Sequence, residues 1–358
     1  MLGDRAGVVR DDAGVIQHAG NPVAEQRRLA AGAAVAPRGD RAIVSLTGPD
    51  RLTWLDSITS QQVATLQPGE STEFLVLDPQ GRVEHVAGVL DDGETAWLLV
   101  DRDDAAGLAK WLTMMRFRMR VEIAVRDDLA VVAAFRGGAA ADRLVETAER
   151  GGEIPLVWAD PWPAVVAGGW QYAEAAEHPG SDYHWVEAIV RPDADLGELP
   201  VAGAIAADAL RVAAWRPRWA NEVDGRTIPH EADWLRTAVH LDKGCYRGQE
   251  TVAKVHNLGH PPRRLVLLHL DGSENVPAEP GDAVVNGDAE VGHVTSVANH
   301  HELGPVALAI VSRRTPSDAP LVVVHDDTRI AAAQEVIVPA DAGSVAEIPK
   351  ITRLSRRS

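Results

Sequence analysis

The stretch "DKGCYRGQE", residues 242–250, holds the only cysteine of the chain, Cys245, between Gly244 and Gly248, with Lys243 two residues before it and Arg247 two after. The run that follows, "QETVAKVHNLG", predicts a helix starting near Tyr246. On it Cys245, Gln249, Val252 and His256 share a face, and the thiol sits at the amino-terminal end. Unpaired N–H groups and the helix dipole favour an anion there, and Lys243 and Arg247 add positive charge. A thiol with a pKa near 8.5 is about 3 percent ionised at pH 7, and lowering it by one to two units gives roughly 25 to 75 percent thiolate. The two glycines permit close backbone approach. On these residues alone the pattern fits either a reactive, ligand-contacting thiol or a small buried hydrophobe at a helix start.

Downstream, "HNLGHPPRR" (residues 256–264) predicts a domain boundary: Gly259 can stop the helix, and Pro261-Pro262 cannot continue it. Beyond it lie the short β runs "RLVLLHL", "AVV", "AEVGHVTSVAN", "VALAIV", "LVVV" and "IAAAQEVIV", separated by Gly and Asp turns as in a small closed barrel. Upstream, "AIVSL" alternates like a strand, and Asp50 can cap a helix carrying Leu52, Leu55 and Ile58. Three β-like runs, "STEFLVLD", "RVEHVAGVL" and "ETAWLLVD", are joined by the hairpin signals "PQG" and "DDG". "DDAAGLAKWLTMMRF" has helical spacing at Leu108, Trp111, Leu112 and Met115. Hairpins interleaved with covering helices indicate α+β rather than doubly wound architecture. In the middle of the chain we expect strands at "DDLAVVAAF", "PAVVAGG" and "YHWVEAIV", and helices around Ala139 to Glu149 and in "VAGAIAADALRVAAW". The boundaries read from these patterns are 1–128, 129–260 and 261–358.

Fifty-two acidic against 35 basic side chains give a formal net charge of −17, which opposes the counterion release that drives nucleic-acid binding. Nucleic acid is therefore not expected as a ligand. No run of about 18 apolar residues predicts a membrane span. The opening "MLGDRAGVVRDDAGV" lacks an apolar signal-peptide core, so a cytoplasmic protein is expected. The closing "ITRLSRRS" reads as a solvated tail. A single cysteine closes no intramolecular disulfide. Thirteen histidines lack spaced carboxylate or cysteine partners, and "NHHEL" reads as a polar turn, so no dedicated metal site is expected.

"KGCYRGQE" resembles the K-G-C-Y-x-G-Q-E signature of the YgfZ family, folate-binding proteins related to the T-protein of the glycine cleavage system. "LTGPDRLTWLDSITSQQV", "LDPQGRVEHVAGV", "LRVAAWRPRWANEVDGRTIPHE" and "GHVTSVANHHELGPVALAIVSR" are similar to family stretches in the same order, so the likeness spans roughly residues 20 to 315. The resemblance implies a three-domain ring of two α+β folate-binding domains and a C-terminal β-barrel, with tetrahydrofolate or a derivative in a central channel. It also implies a role in maintaining iron–sulfur proteins, including radical enzymes that modify tRNA, through client or assembly proteins as partners.

The resemblance puts Cys245 forward as the functional thiol. Lys243, Tyr246, Gln249, Glu250, Arg211, Trp215 and Glu231 are candidate cofactor contacts. Arg211 and Arg216 can pair with a folate glutamate tail or, as isolated arginines more often do, lie at the surface; Glu231 can accept from a pterin or cap the following short helix. Trp215, where relatives tend to carry glycine, can stack on a pterin or pack in the core. The T-protein's acidic pair is absent: "QGRVEHVAG" puts His85 and Val86 in its place, with Glu84 nearby. The T-protein's Gly-Tyr-Thr-Gly-Glu loop is not found in "AVVAGGWQYAEAAEH" either. Loss of a proton-transferring carboxylate typically costs about 10²-fold or more, which disfavours aminomethyl transfer by the parent route. Three readings follow: a folate-dependent accessory of iron–sulfur maintenance, a one-carbon transferase using Glu84, Glu231 or Glu250 as proton carrier, and a binding module whose cysteine is structural.

Overall fold

Turn chemistry sets the first sheet. Asp78 Oδ1 accepts from the backbone N–H groups of Gln80 and Arg82, and Asp92 Oδ1 accepts from those of Glu94 and Thr95, so both predicted hairpin turns close on their own aspartates. In a computed structural model the chain is described over residues 7–273 and 276–346; the basic tail lies outside them. Near the start a short ladder of β1 (Val9–Arg10) and β2 (Ile16–His18) leads to α1 (Pro22–Ala30), capped by Asn21, and to β3 (Ala36–Pro37). The first unit then comprises β4 (Arg41–Thr47), α2 (Arg51–Ile58), β5 (Ser71–Leu77), β6 (Val83–Asp91), β7 (Thr95–Asp101), α3 (Arg102–Met115) and β8 (Glu122–Val125). Its antiparallel sheet runs β5-β6-β7-β4-β8. One face packs Phe74, Val76, Ala87 and Val89 against Trp54 and Leu55 of α2 and Leu108 and Leu112 of α3.

The second unit contains β9 (Ala130–Phe135), α4 (Ala139–Thr147), the two-residue strands β10 (Arg150–Gly151) and β11 (Ile154–Pro155), β12 (Val157–Ala159), β13 (Trp185–Val190), α5 (Ala204–Ala213), α6 (Trp219–Glu222) and α7 (Gln249–Leu258). Its sheet runs β12-β13-β9-β3, so the N-terminal segment crosses over to complete it. Alternation along β9 sends Val132 and Ala134 to α4 and Val131 and Ala133 to α5, burying both faces. Gly259 ends α7, as its sequence position predicts. The third unit is a closed six-stranded barrel of β14 (Arg263–Leu270), β15 (Ala283–Asn286), β16 (Ala289–His300), β17 (Gly304–Ser312), β18 (Leu321–His325) and β19 (Thr328–Val336), in the order β14-β17-β16-β15-β18-β19.

Buried side-chain hydrogen bonds tie the units together. Ser60 and Gln61 donate to the carbonyls of Ala238 and Thr237 at 2.5 and 2.7 Å, joining the first unit to the second. The Gln26 amide donates to Asn299 O and accepts from His301 N–H, joining α1 to the barrel. Glu222 accepts from the Thr295 and Ser296 hydroxyls at 2.9 and 2.6 Å, joining α6 to the barrel.

Three local readings are corrected. "PAVVAGG" forms turns rather than a strand: Gly168 has φ +72°, and a Cβ there would lie 2.4 Å from the His240 ring. Asp50 stands at the start of α2 but makes no side-chain cap, because its carboxylate is taken by Arg120 at 2.6 to 3.0 Å. The helix expected from Tyr246 begins at Gln249, because Gly248 turns into the left-handed region at φ +83°. Cys245 thus lies outside the first helical turn.

Candidate functional site

The motif loop is held from several sides while its sulfur is left outward. Lys243 Nζ enters a cage of carbonyls at the end of α2, donating to Asp56 O at 2.5 Å, Thr59 O at 2.9 Å and Gln61 O at 2.8 Å. A cation at a helix C-terminus satisfies its orphan carbonyls and its dipole. Burial pushes the Lys243 ammonium below its usual value, with Asp56 opposing that effect. Gln249 Nε2 donates back to Lys243 O at 3.1 Å and closes the loop. Tyr246 is buried in the core cluster with Leu77, Val83 and Val252, and Lys243 Nζ lies 5.4 Å from its ring centre. Burial raises the Tyr246 phenol. Gly248 is pressed against the β5–β6 turn, where a Cβ would fall 2.6 Å from Asp78 O; its positive φ also demands glycine. Around Gly244 there is open space, and Cys245 is exposed.

This geometry redirects the charges expected around the thiol. Lys243 is committed to the end of α2, and Arg247 pairs with Glu84 at 2.7 Å. Glu250 is exposed and makes no ion pair with Lys243. The loop therefore brings Cys245, Lys243, Tyr246 and Gln249 together, and leaves Arg211, Trp215 and Glu231 elsewhere.

Arg211 is buried at the middle of the molecule, bound to Asp208, Glu222, Ser296 Oγ and the carbonyl of Arg216. Trp215 is 1% exposed and meets His178 edge-on at 5.2 Å between ring centres. Its φ of +59° is the left-handed conformation that glycine adopts without strain. Its indole Nε1 is buried with no partner among the described residues. Glu231 is fully buried: it caps Ile228 N–H and binds Arg263 of β14 at 3.0 and 2.7 Å, tying this loop to the barrel.

Arg211 lines a central cavity between the two sheets, which sequence reasoning found only through Arg211 and Arg216. Arg216 binds Glu73 with both Nη atoms at 3.0 and 2.6 Å and Asp160 at 3.0 Å, and Thr237 also donates to Glu73. Arg41 bridges Glu187 and Asp101, Arg218 bridges Asp101 and Asp40, and Arg38 pairs with Asp40 and Glu187. Tyr183 and Trp185 stack nearby at 5.9 Å and 13°. Burial pushes the Asp160 carboxyl up against the pull of Arg216, with the Glu73 charge acting in the same direction as burial. For Asp40, burial pushes the carboxyl up, but Arg38, Arg218 and Arg41 together hold it well below its usual range.

Carboxylates, guanidiniums and stacked aromatics are the groups that a pterin with a glutamate tail requires. Here, however, the charged groups satisfy one another and enclose about 60 Å³ of free space, against roughly 300–1,000 Å³ for ligand sites in general. A folate seated in this centre requires Arg–carboxylate pairs to separate. Cys245 does not line this cavity.

Sequence reasoning missed one further group. His85, noted only as a replacement for an acid, has Nδ1 2.5 Å from the buried Asp104 of α3, and Asp104 Oδ2 has no partner among the described residues. Burial raises the Asp104 carboxyl, against the hydrogen bond from His85. The signal was available in the pairing of "EHV" on a strand with "DRDD" at a helix start. Among the described residues no group of three or more His, Cys, Asp or Glu side chains is arranged to hold a metal ion.

Two α+β layers and a terminal barrel define the class, and comparison with known proteins agrees. The glycine cleavage system aminomethyltransferase T of Bartonella henselae superposes with a TM-score of 0.69 over 96% of this chain and 97% of that one. At 16% identity that likeness concerns the fold, which is the three-domain T-protein arrangement. Residues 263–340 match the family described as the glycine cleavage T-protein C-terminal barrel domain. The chain is 25% identical over 313 residues to the aminomethyltransferase of Corynebacterium jeikeium, covering 76% of this chain and 77% of that protein. It is 24% identical over 299 residues to the iron-sulfur cluster assembly factor IBA57 homolog, mitochondrial, of Aspergillus oryzae, covering 74% and 63%. A chloroplastic relative from Arabidopsis thaliana is 28% identical over 158 residues, and the chain spans 32% of its length. These matches support the T-protein superfamily.

Proposed function

We propose that the chain is an accessory protein of iron–sulfur cluster assembly or maintenance of the YgfZ kind, with Cys245 as its functional thiol and tetrahydrofolate or a derivative as its small molecule. The presentation of Cys245 carries this reading: one exposed sulfur on a loop fixed by Lys243, Tyr246, Gly248 and Gln249. A thiol so placed meets a partner's cluster or thiol without rearrangement of its own loop. Common protein-bound clusters take four cysteines, or two cysteines and two histidines, so a cluster handled by this single cysteine is shared with a client and is cargo. The relative from Aspergillus oryzae, an iron–sulfur assembly factor by name, supports the same direction.

One-carbon transfer is the second reading, and the aminomethyltransferase relatives favour it. Against it stands the state of the proton carriers it would use. Glu84 is paired with Arg247, Glu231 is bound to Arg263, and Glu250 lies in solvent.

The test uses wild type and Cys245→Ala side by side, in calorimetric titration with tetrahydrofolate and in cluster recovery by an apo iron–sulfur client. The expected result is equal, saturable folate binding by both proteins and impaired client recovery with the variant alone. Equal client recovery would remove the thiol's role, and the absence of saturable binding would remove the folate. Methylene-tetrahydrofolate formed from an aminomethyl donor at enzymatic rates would establish the second reading in place of the first.

A further inference from the structure

Helix α3 ends in a tip unlike the rest of the surface. Met114 is 61% exposed, Phe117 84% and Met119 45%. Phe117 has φ +46°, a left-handed backbone that a bulky residue rarely adopts. Between Asp104 and Glu122 the sequence carries no acid, while Lys110, Arg116, Arg118 and Arg120 are basic, in a chain of net charge −17. Arg120 is held by Asp50 and Arg116 by the carbonyl of Val121; Lys110 and Arg118 have no charged partner among the described residues.

Beside the tip lies a groove of about 590 Å³, walled by Val83, Trp111, Met114, Trp219 and Val223. His85 also lines it, oriented by Asp104 through Nδ1, and Nε2 makes no hydrogen bond to the described residues. The acids on the rim are paired, Glu84 with Arg247, and Asp224 with Arg226 and with Arg263, which it shares with Glu231. Of the charged side chains that line the groove, Lys110 is thus the one without a charged partner among the described residues, beside an apolar trough; the nearest unpaired acids, Asp103 and Glu122, stand at the two ends of the basic segment.

We propose that the α3 tip and this groove form a docking surface for an acidic, amphipathic segment of a partner protein. Met, Phe, Trp and Arg are the residues enriched at protein interfaces, and the local basic charge complements an acidic partner. An apolar stripe on a helical segment fits a groove of this kind, and its acidic flank faces Lys110 and Arg118. An anionic membrane is the poorer match, because the strongly acidic remainder of the protein is repelled by it. Arg247, which pairs with Glu84 on the groove's rim, is two residues from Cys245 in the sequence. The docking surface stands independently of the iron–sulfur reading.

The four methionines of the chain make the test direct, since selective ¹³C-methyl labelling gives one signal each. The full chain is titrated with a short amphipathic Glu/Leu helix, with its Lys/Leu counterpart and with phosphatidylglycerol vesicles. The Glu/Leu peptide is expected to shift the Met114 and Met119 methyls saturably, about tenfold more weakly in Arg118→Glu and not at all in Phe117→Ser, with no response to the Lys/Leu peptide. Phe117→Asn, which suits a left-handed backbone, carries the same test if the serine variant does not fold. Unmoved methyls with the acidic peptide, wild-type affinity in Arg118→Glu, or an equal response to the basic peptide would each overturn the proposal. So would broadening of Met119 by vesicles without any response to the acidic peptide.

Discussion

The centre of the molecule and the loop at residues 242–250 use charge in opposite ways. In the centre, Arg38, Arg41, Arg216 and Arg218 are each locked to carboxylates, and little space is left among them. In the loop the charges are equally committed, Lys243 to carbonyls and Arg247 to Glu84, but their commitment holds in place a sulfur that touches open space. Paired charges fill the centre, whereas paired charges at the loop leave a cysteine exposed. On a fold shared with an aminomethyltransferase, the exposed cysteine of this chain stands on the loop and does not line the central cavity.

The sharpest way to break this contrast is at Glu73. Glu73→Ala removes both Nη partners of the buried Arg216 and the acceptor of the Thr237 hydroxyl, leaving Asp160 as the remaining carboxylate of Arg216, so it is expected to lower stability by about 3–5 kcal/mol, read from urea unfolding. A loss below about 1 kcal/mol would mean that the central pairs are dispensable and that the centre opens readily to a ligand.

The interior beneath the loop gives the next largest effect, through pH. His230 is fully buried, with Nε2 3.1 Å from Val252 O in α7, and burial pushes its pKa down to about 3. A folded pKa below the unfolded value of about 6.5 means stability is full above pH 6.5 and is lost as pH falls toward 3. Between pH 7 and pH 5 the loss is about 2 kcal/mol. His178, pushed down to about 4 by burial and then by Arg236, acts in the same direction. His230→Gln is expected to flatten the slope of unfolding free energy against pH over this window; an unchanged slope would refute the assignment.

How much of this was written in the sequence depends on the range of the interaction. Hairpin turns at Asp78 and Asp92, the stop at Gly259 and the alternating runs of the barrel are local, and they folded as read. Helix α7 shows the limit of periodicity: the apolar spacing from Cys245 to His256 continues through Gly248, but the left-handed φ there breaks the helix. Lys243 was legible as a cation near the thiol, but its ammonium is bound by carbonyls more than 180 residues earlier. Glu231 illustrates the same point, with its capping role local and its partner Arg263 on the barrel. Trp215 yields a reason in retrospect, since its positive φ accounts for the glycine expected there. Pairings between units cannot be read from composition or spacing, and the candidate site is made of such pairings.

Gly248 allows the comparison to be sharpened from within the loop. Gly248→Ala places a Cβ 2.6 Å from Asp78 O at a positive φ. The expected cost is about 1–3 kcal/mol, with faster alkylation of Cys245 as the loop loosens. A thermal melt and an alkylation time course measure both. Stability loss without any change in alkylation would show that the sulfur's exposure does not depend on how firmly the loop is pinned.

The smallest effect on stability belongs to the residue with the largest expected effect on function. Cys245 is exposed, and the groups that fix its loop are its neighbours rather than itself, so Cys245→Ala is expected to change unfolding free energy by less than about 0.5 kcal/mol. The same variant is expected to fail in cluster recovery by a client. If it instead melts well below wild type, the thiol supports the fold, and the distinction between a pinned loop and a free sulfur disappears. If it is stable and fully active, the loop's clamps serve something other than presentation of the thiol, and Arg247 with its rim partner Glu84 becomes the next pair to replace.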